Sequence, residues 1–247
     1  MMTKLAIIGY GNMGKLIHQL AESAGFEVVA IIDPVGHTPT ISPKTIGECD
    51  VCIDFSLPNA VSDNLRQIAA CGKDCVVGTT SWYDNLPDVV SLFSDSGLVW
   101  GSNFSLGMNA FFLMVEQAAS IINELDNYDV FGIEQHHKQK VDSPSGTAKS
   151  IADILLSKID RKNTAYYDKL NRRPQPDEIH FASVRGGAVP GTHTISFDSA
   201  ADTIELTHRA RNRHGFALGA LRAAKWIRGK NGVYEFRQIF REILHNT

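Results

Sequence analysis

The chain has 247 residues, 43% hydrophobic and 21% charged, with 24 Lys+Arg against 27 Asp+Glu. That composition belongs to a globular protein with a real core, large enough for one big domain or two modest ones. A net charge of −3 gives no electrostatic reason to expect nucleic acid or an anionic membrane surface as a partner.

The chain enters a strand almost at once, without a leader pattern of charged then apolar residues. No apolar stretch approaches the ~20 residues that span a bilayer. A cytoplasmic protein is expected.

Residues 5–9 (LAIIG) form a short apolar run ending in glycine, and Met13, Ile17, Leu20, Ala21 and Ala24 then recur at helical spacing. Further apolar runs follow at 28–33 (VVAIID), 51–56 (VCIDFS), 75–80 (CVVGTT) and 98–103 (LVWGSN), with helical stretches at 60–70 and 84–94 between them. Continuous apolar strands separated by helices predict a doubly wound parallel sheet. After Asn103 the rhythm changes. A long helix is predicted from about Met108, followed by strands in YDVFGIEQHH, EIHFASVRG, GTHTISF and DTIELTHRA. These alternate apolar with polar residues, as a half-exposed sheet of mixed pairing does. A helix at 144–158 interrupts them. Residues 163–176 read as a polar loop, and a final helix is predicted over 216–228. The fold class expected is therefore α/β, with a doubly wound sheet over 1–106 and 217–247 and an α+β domain carrying an open mixed sheet over 107–216.

Cys49, Cys52, Cys71 and Cys75 superficially match metal-ligand spacing. Cys52 and Cys75 fall inside buried strand runs, so free thiols are the better reading, and no metal site is expected.

Gly9-Tyr10-Gly11-Asn12-Met13-Gly14 fits G-x-G-x-x-G between a strand and a helix, the context of a Rossmann-type nucleotide site. The glycines permit a tight turn and close approach of a pyrophosphate, while the helix start supplies free N–H groups. Asp33 ends the second strand, where a carboxylate accepts from an adenosine ribose. Phe55, Ser56, Gly78, Thr79, Thr80, Gly101, Ser102, Asn103 and Phe104 follow three further strands at their carboxyl ends, the ligand side of such sheets. Asp33 repels a 2′-phosphate, whereas the next loop offers His37 and Lys44 but no arginine. The cofactor expected is NADH, or NADH and NADPH alike.

The run 134–149, EQHHKQKVDSPSGTAK, crowds two histidines and several lysines around a Ser-Gly-Thr turn. His136 and His137 close a strand, so they point to different sides. Lys140 lies in the following loop as a point charge or an acid. Ser145, Gly146 and Thr147 open a helix whose first N–H groups can hold a carboxylate. A small anionic substrate is the expected partner.

This run resembles the signature of the 4-hydroxy-tetrahydrodipicolinate reductase (dihydrodipicolinate reductase) family, E-x-H-H-x-x-K-x-D-x-P-S-G-T-A, at every fixed position. The likeness continues in DFS-x-P at 54–58, GTT at 78–80, NFS-x-G at 103–107, RGG…GTHT at 185–194 and LTHRA at 206–210. It implies NAD(P)H-dependent reduction of a cyclic unsaturated imine dicarboxylate to tetrahydrodipicolinate, in the diaminopimelate route to lysine. It implies His136 as proton donor or acceptor, Lys140 as proton donor, and His137 with the 146–147 backbone as carboxylate binders. It also implies a homotetramer built on the open sheet. Hydride transfer needs water excluded, so closure of the two domains on substrate is expected. The chain departs from many members in its shorter glycine turn and in Pro34, where a basic residue is common, which bears on NADPH preference. Two rival readings are an amino-acid dehydrogenase of the same plan, which would not need HH-x-x-K and PSGT together, and a nucleotide sensor, which would not need Lys140.

Overall fold

The computed structural model describes residues 1–245. The chain divides into two compact units, Met1–Asn109 with the stretch from Arg213 onward, and Ala110–Asn212.

The first unit starts with β1 (Thr3–Ile8), α1 (Asn12–Ala21), β2 (Phe26–Ile32), the short α2 (Pro43–Ile46), β3 (Val51–Asp54), α3 (Pro58–Ala70) and β4 (Asp74–Val77). All four residues of β3 are buried, as are the last three of β4, which is why both read as unbroken apolar runs. The helix expected over 84–94 is instead a five-residue α4 (Leu86–Val90) between two 3-10 turns. Pro87 confines the helix to a start at this point. β5 (Gly97–Trp100) follows.

α5 (Leu106–Asn123) leads into the second unit, which contains β6 (Asp129–His136), α6 (Gly146–Lys158), β7 (Thr164–Tyr166), β8 (Glu178–Arg185), β9 (Thr192–Asp198) and β10 (Thr203–Arg209). Its sheet runs β10-β9-β6-β8-β7, with β6–β8 and β7–β8 parallel and the other pairs antiparallel. β7 lies in the segment expected to be a loop. Three residues between polar neighbours carry too little alternation to announce a strand. Along β6 exposed and buried residues alternate strictly. Strand register puts Val130, Gly132, Glu134 and His136 on one face, level with Phe181, Ser183 and Arg185 of β8 and with His193, Ile195 and Phe197 of β9. The opposite face carries Phe131 and Ile133, each 37% exposed, and Val184 at 50%.

The chain re-enters the first unit through α7 (His214–Ile227), β11 (Gly232–Glu235) and α8 (Phe236–His245). The helix expected to be final is followed by a strand and a further helix. β11 pairs with β5 and completes a six-stranded parallel sheet of order β11-β5-β4-β3-β1-β2. That is the doubly wound arrangement, with its ligand crevice at the strands' carboxyl ends. The four cysteines are free, with Cys49 and Cys52 sulfurs 3.7 Å apart in the core. Among the described residues no helix is long and apolar enough to cross a membrane.

Candidate active site

After β1 the backbone turns at Gly9, whose φ of +83° is a left-handed conformation. A Cβ there would fall 2.7 Å from the Phe55 carbonyl oxygen and 2.8 Å from the Ser56 nitrogen. At Gly14 a Cβ would meet the Gly9 carbonyl oxygen at 2.1 Å, so only glycine lets α1 pack this close to the turn. At Gly11 nothing lies within 4 Å, which leaves open space in front of the helix. α1 begins at Asn12 with no side-chain cap, so its first N–H groups, including those of Met13 and Gly14, are available to an anion.

Asp33 stands just past β2. Its Oδ2 accepts from the Tyr10 N–H at 2.7 Å and its Oδ1 from the Val35 N–H at 2.8 Å. These two backbone donors hold its carboxyl below the usual range, so it is an anion at neutral pH. The Tyr10 hydroxyl bonds His18 Nδ1 at 2.6 Å, and its ring meets the His37 ring edge-on at 4.7 Å. Past β3, buried Asp54 accepts from the Ser56 N–H at 2.8 Å and from Asn64 Nδ2 at 2.9 Å. The Thr79 hydroxyl donates to the Ser56 carbonyl at 3.2 Å instead of capping a helix. Gly78 faces the Phe55 ring, and Phe55 meets Phe104 edge-on at 6.3 Å. Gly101 is buried beside Phe104, whereas Thr80 and Ser102 are exposed and Asn103 is half-buried. Bare helix N–H groups, an open approach at Gly11 and an anionic carboxylate past β2 together fit the pyrophosphate and ribose of a dinucleotide.

In the second unit the site grows from the buried face of β6. Glu134 is fully buried. It accepts from the Ser145 N–H at 2.9 Å, the Ser145 hydroxyl, the Ser183 hydroxyl at 2.8 Å and Arg185 Nη2 at 2.8 Å. His136 is next on the same face, with Nδ1 3.3 Å from Glu134 Oε2, and its ring meets that of His193 edge-on at 5.2 Å. His137 lies past the strand end and is half-buried. Lys140 Nζ is chelated by Asp142 at 2.6 and 2.9 Å. Ser145 caps α6 by accepting from the Ala148 N–H at 3.1 Å, and the space over Gly146 is open. Among the described residues here, the buried nitrogens Nδ1 of His137 and His193 and Nε of Arg185 have no hydrogen-bond partner, and His136 Nδ1 has only the Glu134 carboxylate beside it. Buried donors without partners mark a place where a ligand completes the bonding, and an oxygen-rich anion supplies the right acceptors.

Sequence reasoning therefore marked His136, His137, Lys140 and the 145–147 turn, but gave no role to Glu134, Ser183, Arg185 or His193. Two signals were available: the i, i+2 spacing of Glu134 and His136 in an alternating strand, and the family likeness, which contains Glu134, Arg185 and His193 without giving them a role. Glu134, His136 and His193 place ligand atoms within 4.8 Å of one another, close enough to suggest a metal. Glu134 already accepts four hydrogen bonds, however, and Arg185 opposes a second cation beside it.

Burial drops the His136 imidazole to about 4. Burial also pushes the Glu134 carboxyl up, but hydrogen bonds from His193, Ser145 and Arg185 more than offset it and leave that group well below the carboxylate range. Both shifts weaken the fold in acid. Unfolded, His136 takes a proton near 6.5 that the folded chain refuses until about 4, so stability falls as pH drops through that window. The Glu134 contribution, present above its unfolded value of 4.5, is lost further down. Calorimetry should show Tm falling through both ranges, and His136→Asn should flatten the upper one.

Two family models match, "Dihydrodipicolinate reductase, N-terminus" over residues 3–104 and "Dihydrodipicolinate reductase, C-terminus" over 107–240. The chain belongs to the dihydrodipicolinate reductase family. It is 34% identical over 244 residues to the 4-hydroxy-tetrahydrodipicolinate reductase of Christiangramia forsetii, covering 98% of this chain and 99% of that one. It is 38% identical over 262 residues to the enzyme of that name from Ralstonia pickettii, covering 96% and 98%. The fold matches a dipicolinate-bound dihydrodipicolinate reductase from Paenisporosarcina sp. TG-14 with a TM-score of 0.77 at 23% identity, over 97% of this chain and 100% of that one. Both family segments thus lie on one chain, and the reductase signature at 134–148 supplies His137 to the cluster of unpartnered nitrogens, with Arg185 of β8 and His193 of β9 completing it.

Proposed function

We propose that this chain catalyses the NAD(P)H-dependent reduction of 4-hydroxy-tetrahydrodipicolinate, through its dehydrated form, to tetrahydrodipicolinate in lysine biosynthesis. The observation that carries this reading is the group of partnerless buried nitrogens of His137, His193 and Arg185, next to His136 and the start of α6. A small dicarboxylate supplies acceptors for them and negative charge for Lys140 and the helix start. The family relatives carry the name of this activity over nearly their full length.

In this reading the turn Gly9–Gly14 holds the pyrophosphate, Asp33 the ribose, and residues 55–56, 78–80 and 101–104 flank the nicotinamide arm. NAD(P)H supplies the hydride. His137, Ser145 and the 146–147 N–H groups hold a carboxylate. Lys140 donates the proton at the carbon next to the reduced one, and His136 orients the ring and steadies the charge that reduction builds on it. Lys140 ranks above His136 as the acid because burial keeps His136 neutral at pH 7. Asp33, held anionic by two N–H groups, disfavours a 2′-phosphate, which supports NADH or dual use. The open face with Phe131, Ile133 and Val184 is of the kind that a second copy covers, which supports a homotetramer. A biosynthetic enzyme of this kind works in the cytoplasm.

The test supplies pyruvate, aspartate semialdehyde and the upstream synthase, and follows oxidation of NADH and of NADPH. Synthase-dependent oxidation supports the reading, and the ratio of the two rates reports on Asp33. Folded protein that binds NADH but oxidises neither cofactor would sink it.

A further inference from the structure

Glu134 is an odd group to find in a cradle for an anion. It carries negative charge, it is fully buried, and burial of an unpaired carboxylate is costly. An apolar residue would fill the face of β6 more cheaply, and Val130 does so four residues earlier on the same face. What distinguishes Glu134 is where its partners come from. Ser145 begins α6, Ser183 and Arg185 lie on β8, His193 on β9, and His136 follows on β6 itself.

The partners lead on to the groups that face the ligand. Arg185 Nη2 bonds Glu134 at 2.8 Å and also donates to the Asp142 carbonyl oxygen at 2.7 Å. Asp142 in turn chelates the Lys140 ammonium through its carboxylate. One unbroken chain of bonds therefore runs from Glu134 through Arg185 and Asp142 to Lys140. A second runs through Ser145 to the first turn of α6, where the Ala148 N–H bonds the same hydroxyl. Beyond His136, a Cβ at Gly191 would sit 3.0 Å from Nε2, so glycine keeps that edge of the imidazole clear.

We infer that Glu134 is the positioning residue of this site: one buried carboxylate sets His136, the start of α6 and, through Arg185 and Asp142, the Lys140 loop in a single arrangement. This rests on the reductase reading above. Glu134 does not take part in the proton transfer. Its charge is neutralised by Arg185, so it organises donors without repelling a dianion. Buried networks of this kind rigidify a site, and losing one member disturbs the others.

The test compares wild type, Glu134→Gln and Arg185→Lys. Glu134→Gln keeps the shape and removes the charge. Arg185→Lys keeps a cation beside Glu134, so it guards against a fold lost to an unpaired charge, but its shorter side chain cannot place a nitrogen where Nη2 meets both Glu134 and the Asp142 carbonyl. With wild type turning over, each variant should lose roughly 10- to 100-fold in kcat/KM, the size seen for outer-shell partners elsewhere, with NADH affinity unchanged. His136 is faced by Glu134, His193, Lys140 and Arg185. Its imidazole titration, followed by NMR, should move to lower pH in Glu134→Gln with the carboxylate beside Nδ1 gone, and the loss should fall on kcat more than on KM, a split that a purely structural role would not produce. Wild-type kcat/KM in either variant overturns the inference, as does an unmoved His136 titration. An inactive wild type instead overturns the reductase reading on which it stands.

Discussion

Replacing Lys140 with alanine should lower turnover by roughly 10²- to 10⁴-fold, the usual contribution of a positioned acid, and leave NADH affinity where it was. The ammonium is held by Asp142 at 2.6 Å and is 22% exposed, so it is fixed in direction yet open to a ligand. The glycine turn belongs to the other compact unit, and nothing in its bonding depends on Lys140. Stability should hardly change, because an ion pair this exposed contributes about 1 kcal/mol at most. Steady-state kinetics and NADH titration by fluorescence check both halves. A collapse of NADH affinity would remove Lys140 from the substrate site.

Gly14→Ala should do comparable damage by a different route, abolishing dinucleotide binding and lowering stability. The added methyl would sit 2.1 Å from the Gly9 carbonyl oxygen. No rotamer relieves a clash between a Cβ and backbone, so α1 must move off the turn, at a cost of about 1–3 kcal/mol or more. Gly11→Ala provides the contrast. Its methyl meets no atom within 4 Å, so the fold should survive with an unchanged Tm. NADH affinity should fall nonetheless, because the methyl projects into the space assigned to the pyrophosphate. If Gly11→Ala binds NADH as tightly as wild type, the cofactor does not lie over this turn.

Much of this was readable from residues in order. The strands β1, β3 and β4 are buried on both faces, and such strands announce themselves as unbroken apolar runs. The reductase signature is local in sequence, so its histidines, lysine and turn were visible together. What escaped was short or non-local. β11 has four half-buried residues, too few for a period. α8 does bury Phe236, Ile239, Phe240 and Ile243, an i, i+3, i+4, i+7 stripe that was open to reading but sits among arginines and a glutamate. β7 is held by its pairing with β8 more than by its own residues. Glu134 stood in the family signature, but as an acid in a half-exposed strand it carried no role. Its role comes from Ser183, Arg185 and His193, 49 to 59 positions along the chain, and only strand register brings Ser183 and His193 level with it and Arg185 level with His136.

The order of the six parallel strands has a consequence for synthesis. β11 seals the sheet along β5, pairing Val233 with Leu98 and Tyr234 with Val99. Until it is made, β5 is a bare sheet edge, and the whole second unit is translated in between. At about 5–20 residues per second that leaves the edge open on the order of ten seconds in a growing polypeptide. Exposed apolar edges recruit other strands. The newborn chain thus passes through a period in which chaperone protection matters more to it than to the finished molecule, and truncations just before Gly232 should accumulate as aggregates.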